Sequence, residues 1–146
     1  MTPENLENLL VAEINALGLP VRAYPQEPGN YFPEHDPGEV LIRYEGRKPI
    51  GRDLTGMNSR VKFFIEIVVV TRQVRGAGGA YDTLQQIYDR LEGRTLDGMA
   101  GQLTLDAESF LDEKDGLWQF GQKWSVEGNE YQHYFDDYEK HHLGDT

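Results

Sequence analysis

The stretch VKFFIEIVVVT, residues 61–71, decides the fold. Its odd-numbered positions, Val61, Phe63, Ile65, Ile67 and Val69, are apolar, while Lys62 and Glu66 share the even register with Phe64. Alternation with a period of two, rich in β-branched and aromatic residues, marks a strand, because successive side chains leave opposite faces. Beyond Glu66 the even register turns apolar as well, at Val68 and Val70. A strand that is apolar on both faces over half its length belongs inside a sheet with cover on both sides. The second face is expected to be covered partly by the chain's own C-terminal hairpin or long loop and partly by a neighbouring subunit.

Upstream, EVLIRYE (residues 39–45) alternates again and is predicted to pair with this central strand. The two are joined by GRKPIGRDLTGMNSR, residues 46–60, with three glycines, a proline and four basic side chains. That is too long for a tight turn. It reads as a basic arm or β-hairpin projecting from the sheet, ordering when something accepts it.

Two helices flank these strands. Thr2-Pro3-Glu4 supplies a capping hydroxyl, a proline suited to the first turn and an acid facing the positive end of the dipole. Leu6, Leu9, Leu10, Ile14 and Leu17 then recur at helical spacing up to Gly18. The second helix lies in AYDTLQQIYDRLEG (residues 80–93), with Tyr81, Leu84, Ile87, Tyr88 and Leu91 in one stripe, and is expected to cover the same face as the first. Residues 19–24 form a short extended piece. It leads into QEPGNYFPEHDPG (residues 26–38), a proline- and glycine-rich loop in which Tyr31 and Phe32 should be shielded from water.

QLTLDAESFL (residues 102–111) is a strand expected to set Leu103, Leu105, Ala107 and Ser109 on one side, and DEKDG (residues 112–116) is a turn. LWQFGQKWSVE (residues 117–127) returns, with Trp118, Phe120, Trp124 and Val126 on one register, as a hairpin on the sheet with an aromatic core face. The fold class is therefore α+β. Residues 3–127 form a single domain with a mostly antiparallel sheet of four to five strands and two helices on one face. The arm lies at residues 46–60. Residues 128–146 are read as a partly ordered acidic tail, begun by an extension of the last strand.

The chain's 146 residues suffice for one hydrophobic core. With no cysteine there is neither a disulfide framework nor a thiolate site, which fits a reducing compartment. MTPENLENLL lacks the features of a signal peptide, and no apolar run approaches the roughly 20 residues that span a bilayer. A soluble, unexported protein without a membrane partner is expected. The net charge of -11 is unevenly placed. Residues 43–75 carry eight bases (Arg43, Arg47, Lys48, Arg52, Arg60, Lys62, Arg72, Arg75) against three acids, or +5, while the rest carries six bases against 22 acids, or -16. So acidic a chain is a poor general binder of nucleic acid. A basic segment on an acidic body is suited instead to docking on an acidic surface, including that of another copy.

Chemical motifs are sparse. GAGGAY (residues 76–81) ahead of the second helix invites comparison with phosphate-binding loops, but Tyr81 stands where a dinucleotide fingerprint has its third glycine, and a P-loop Lys-Ser/Thr is absent. His133, Asp136, Asp137, His141 and His142 match no metal-site spacing, and His35 sits in the proline-rich loop. No serine elbow is present, and no carboxylate pair stands out from a generally acidic surface. An enzyme is not expected; no catalytic, cofactor or metal residues are assigned. A nuclease is a distant third reading.

The order helix, strand, long loop, strand, basic arm, long central strand, helix, strand, strand, carried by LIRYEG, VKFFIEIVVVTRQ, GAYDTLQQIYDRLEG and a last strand ending WSVEGNEY, resembles the tail terminator (tail completion) proteins of tailed phages, specifically the Mu-type family of contractile tails. The resemblance spans roughly residues 3–132 and lies in order and texture. It implies a structural virion protein assembled in the host cytoplasm. Its subunits form a hexameric ring that caps the tail tube, stops tube and sheath polymerisation and offers the surface on which the head connector docks. The implied partners are the chain itself, tube protein, sheath protein and head–tail connector proteins, with DNA at most passing through the lumen. On this reading Arg47, Lys48, Arg52, Arg60, Arg72 and Arg75 are the expected subunit or tube interface. The alternative is a small-ligand or nucleotide-phosphate-binding α/β module using residues 76–79.

Overall fold

A computed structural model describes residues 1–26, 33, 38–52 and 58–131. The alternating stretch becomes β3 (Asn58–Thr71), flanked antiparallel by β2 (Gly38–Arg52) and β5 (Leu117–Tyr131). β4 (Thr104–Lys114) pairs antiparallel with β5, and the short β1 (Val21–Ala23) runs parallel to β2. The five strands lie in the order β1-β2-β3-β5-β4, so β3 takes the central place its sequence predicts. The sheet is mixed but mostly antiparallel, and with two helices the chain is a single α+β domain.

The odd register of β3 is the floor of the core. Val61, Phe63, Ile65, Ile67 and Val69 are buried, beside Val40 and Ile42 of β2 and Trp124 and Val126 of β5. Both helices close over this face. α1 (Pro3–Asn15) starts at Thr2, whose Oγ1 accepts from the Asn5 amide at 3.1 Å, and it buries Leu6, Leu10 and Ile14 over β1 and β2. α2 (Ala80–Leu91) buries Leu84, Ile87 and Leu91 over β3 and β5. Each such side chain withdrawn from water contributes about 1.5–3 kcal/mol before conformational entropy is counted. Arg90 and Arg94 reach back to Glu13 at 3.0 and 2.6 Å and tie α2 to α1. Among the described residues no helix is long and apolar enough to cross a membrane.

Four expectations need correction. Tyr81 and Tyr88 do not join the buried stripe of α2; they flank it, 49% and 38% exposed, because the core is filled by Ala80, Thr83, Leu84, Ile87 and Leu91. Ala107 and Ser109 do not share a side with Leu105. Register shifts at Asp106 and Leu111 leave Leu105, Glu108 and Phe110 facing with the helices, opposite Trp124, Gln122 and Phe120. An extra residue inverts the facing of everything after it, so a strict alternation cannot anticipate a bulge. The turn is shorter than DEKDG: β4 runs to Lys114, and Asp115-Gly116, both at positive φ, close a two-residue hairpin. Finally, the C-terminal hairpin lies edge to edge with β3 in the sheet, so its share in the second face is the side-by-side contact of Leu117 with Leu41, Val68 and Val70 rather than a layer over it. β5 continues past Glu127 to Tyr131; residues 132–146, and Tyr31, Phe32 and His35 of the long loop, lie outside the described residues.

Candidate interaction surface

The even register of β3 faces away from both helices. Its apolar end is a small buried cluster of Leu41, Val68 and Val70 with Tyr24 and Leu117 packed against it. At its middle is Glu66, a residue whose place in the alternation reads as solvent-facing but whose side chain is only 3% exposed. Cross-strand register explains the burial: Arg43 of β2 and Lys123 of β5 stand on either side of it. The Arg43 guanidinium donates to Glu66 Oε1, while Lys123 Nζ lies 3.0 Å from Glu66 Oε2 and 2.7 Å from Glu45 Oε2. Glu66 is thus held between two cations, the condition under which a buried carboxylate is tolerated. The hydrogen bond to Glu45 is the main cause that raises the Lys123 pKa above its usual value, assisted by Glu66 and opposed by desolvation. Sequence reading missed this network; its available signal was the Arg43, Glu66, Lys123 row across three paired strands.

Past this network, β2 and β3 continue as the hairpin arm, paired out to Arg52 and Ser59 within a single chain. Register shifts at Glu45 and Ile50 put two bulges into β2, each followed by a glycine at positive φ (Gly46 +143, Gly51 +152) that accepts the distorted backbone. Pro49 lies on the same outer strand, where a missing N–H does no damage.

The six predicted interface residues fall into two groups. Arg47, Lys48, Arg52 and Arg60 lie on the arm, whereas Arg72 and Arg75 follow the other end of β3. At ~3.3 Å per residue the groups are roughly 30–40 Å apart, too far to form one patch. Arg47 crosses the Phe63 ring at 5.2 Å and donates to the Tyr44 hydroxyl at 3.1 Å. Lys48 stands directly opposite Lys62, a cation absent from the predicted set. Arg60 reaches Glu127 at 3.3 Å, with both side chains about half exposed. Arg75 lies over the Tyr81 ring at 5.7 Å, Arg72 is exposed, and only the backbone of Arg52 is described. At the arm's root is an open groove of about 290 Å³, lined by Lys62, Gly101, Gln102, Thr104, Ser125, Val126 and Glu127, where the Ser125 hydroxyl donates to Asp106 Oδ1 at 3.1 Å.

The glycine loop has little to offer an anion. The amides of Gly79, Ala80 and Tyr81 donate to the carbonyls of Gly76, Gln73 and Val74, and the Gly78 amide donates to the Asp82 carboxylate at 3.2 Å. Four consecutive amide donors of the loop and helix start are thus occupied, one of them by an acid. Gly79 is dictated by packing: a Cβ there would lie 2.7 Å from the Val74 carbonyl oxygen. Among the described residues no acidic and histidine side chains gather into a metal cluster, and the tail histidines fall outside them.

A family model described as Gp37 protein matches residues 12–133, so the match takes in all five strands, the whole of α2 and only the last turn of α1. The chain belongs to that family and is a bacteriophage-related protein. It matches no curated protein.

Proposed function

We propose that this chain is the subunit of a tail terminator ring of the Mu type, a non-enzymatic virion protein that caps the tail tube, stops tube and sheath growth and presents a surface to the head connector. Membership of a phage protein family supports the reading, and the basic hairpin arm carries it physically. A ring needs heterologous contacts, in which one patch meets a different patch of the next subunit. A basic hairpin projection on a chain of net charge -11 supplies unlike surfaces of that kind.

The test is reversal of Arg47, Lys48 and Arg52 to glutamate together. The variant gives up the Arg47 contact over the Phe63 ring but should keep its folded circular dichroism spectrum while losing ring or tube association by light scattering. Tails assembled with it should lose length control under the electron microscope. Unchanged assembly and tail length would remove the arm from the interface. A monomer that gains thermal stability from a nucleotide would favour the small-ligand reading instead.

A further inference from the structure

The helices leave one strip of the sheet open. α1 packs over β1 and β2 and α2 over β3 and β5, whereas β4, at the end of the sheet, is exposed along nearly its whole length. Along the boundary between α2 and β4 lie Tyr81, Tyr88 and Phe110, three of the four exposed large hydrophobic side chains among the described residues. Their rings rest on a shared floor: Tyr81 and Phe110 meet Phe120 edge-on at 5.8 and 5.7 Å, and Tyr88 lies 6.4 Å from Trp124. A connected aromatic surface of this type is a site that a partner covers.

The rim of the strip is acidic. Glu108 and Glu113 share the helix face of β4 with Phe110, and Asp82 stands on the outer side of α2 next to Tyr81. Among the described residues none of the three carboxylates forms an ion pair with a cation. Arg75 lies over the Tyr81 ring, so the strip already holds one guanidinium.

We infer that this aromatic strip receives the basic hairpin arm of a second copy of the chain. The charges are complementary: residues 104–116 hold five acids and one base, or -4, and residues 46–62 hold five bases and one acid, or +4. On the arm, Lys48 stands opposite Lys62 across β2 and β3; Lys62 has Glu127 of β5 on its other side, so Lys48 is the cation that an acidic partner would relieve. The two surfaces cannot meet within one chain. Lys48 is level with Lys62, and Glu113 is level with Thr71 through Trp118, so they are separated by nine residues of β3, about 30 Å at ~3.3 Å each. Arm and strip therefore join different copies head to tail, the contact that closes into a ring or continues as a filament. The inference rests on the ring reading above and names the two faces that meet.

Because the chain has no cysteine, the contact can be trapped without background. The double variant Lys48→Cys/Glu113→Cys cannot close a disulfide within one chain, since the bond needs Cα atoms within about 7 Å. Mild oxidation of the full-length double variant should give a ladder of linked oligomers, and a mixture of the two single variants should give a linked dimer that neither gives alone. Independently, Glu108→Lys/Glu113→Lys gives up the bonds those carboxylates accept from Gln122 and Gly116 but should stay folded by circular dichroism while weakening self-association at least tenfold by sedimentation velocity. Mixing that chain with Lys48→Glu/Lys62→Glu should restore the complex. A wild-type chain that forms rings, with no cross-link and no effect of charge reversal, overturns this contact and leaves the ring. A wild-type chain that stays monomeric, alone and with tube protein, overturns both.

Discussion

Glu66 shows how the surroundings of one residue set its role. It sits mid-sheet with almost no exposure, and its tolerance depends on Arg43 and Lys123. Removing the carboxylate in Glu66→Ala leaves two cations facing each other across the central strand. Because both are nearly half exposed, the loss should be smaller than for a fully buried pair, roughly 1–3 kcal/mol in denaturant unfolding. The same network gives a pH signature. The Lys123 pKa is raised in the folded state, so its ion pairs stabilise the fold fully below the unfolded value of about 10.5 and are lost as pH rises through the folded value. Wild type should therefore lose melting temperature above pH ~10.5 more steeply than Lys123→Met, when other titrating groups are matched. Gly79 is a second residue with a defined limit: Gly79→Ala drives a Cβ against the Val74 and Arg75 carbonyls and should destabilise by about 1–3 kcal/mol in denaturant unfolding.

The hairpin arm is defined by its bulges. Gly46 at φ +143 sits where β2 gains an extra residue, and a β-branched residue there meets a backbone conformation it rarely adopts. Gly46→Val should change stability by about 1 kcal/mol, yet weaken self-association well beyond that by re-aiming the arm; hydrogen exchange of β2 amides against sedimentation would separate the two effects. This element also marks the limit of what the sequence conveys. Alternation placed β3 at the centre, and helical periodicity with caps placed α1 and α2, because burial imposes those periods directly. Bulges at Glu45, Ile50, Asp106 and Leu111 break the period without a reliable residue signature, so the facing of β4 was misread. The basic residues were visible as one run of sequence, but strands turn sequence proximity into distance, carrying Arg60 and Arg72 to opposite ends of β3. Lys62 and the aromatic strip became readable only when register placed one opposite Lys48 and the uncovered β4 exposed the other.

At the scale of the molecule, two electrostatic terms compete during self-association. Copies of net charge -11 repel as whole bodies, whereas a +4 arm and a -4 edge attract at contact. The terms have different ranges, so salt separates them. At 10 mM the screening length is about 30 Å, comparable to a subunit, and the bodies repel at full reach. Near 0.1–0.2 M it is about 8–10 Å; the bodies are screened while ion pairs in contact persist. At 1 M it is about 3 Å and the contact pairs weaken as well, leaving the aromatic burial. Self-association of the wild-type chain should therefore peak at intermediate salt in sedimentation equilibrium. Reversing Glu108 and Glu113 to lysine should remove the high-salt decline, because the pairs being screened are gone. A wild-type association constant that rises steadily up to 1 M would mean that apolar burial alone drives the contact and that the charges of the arm serve another partner.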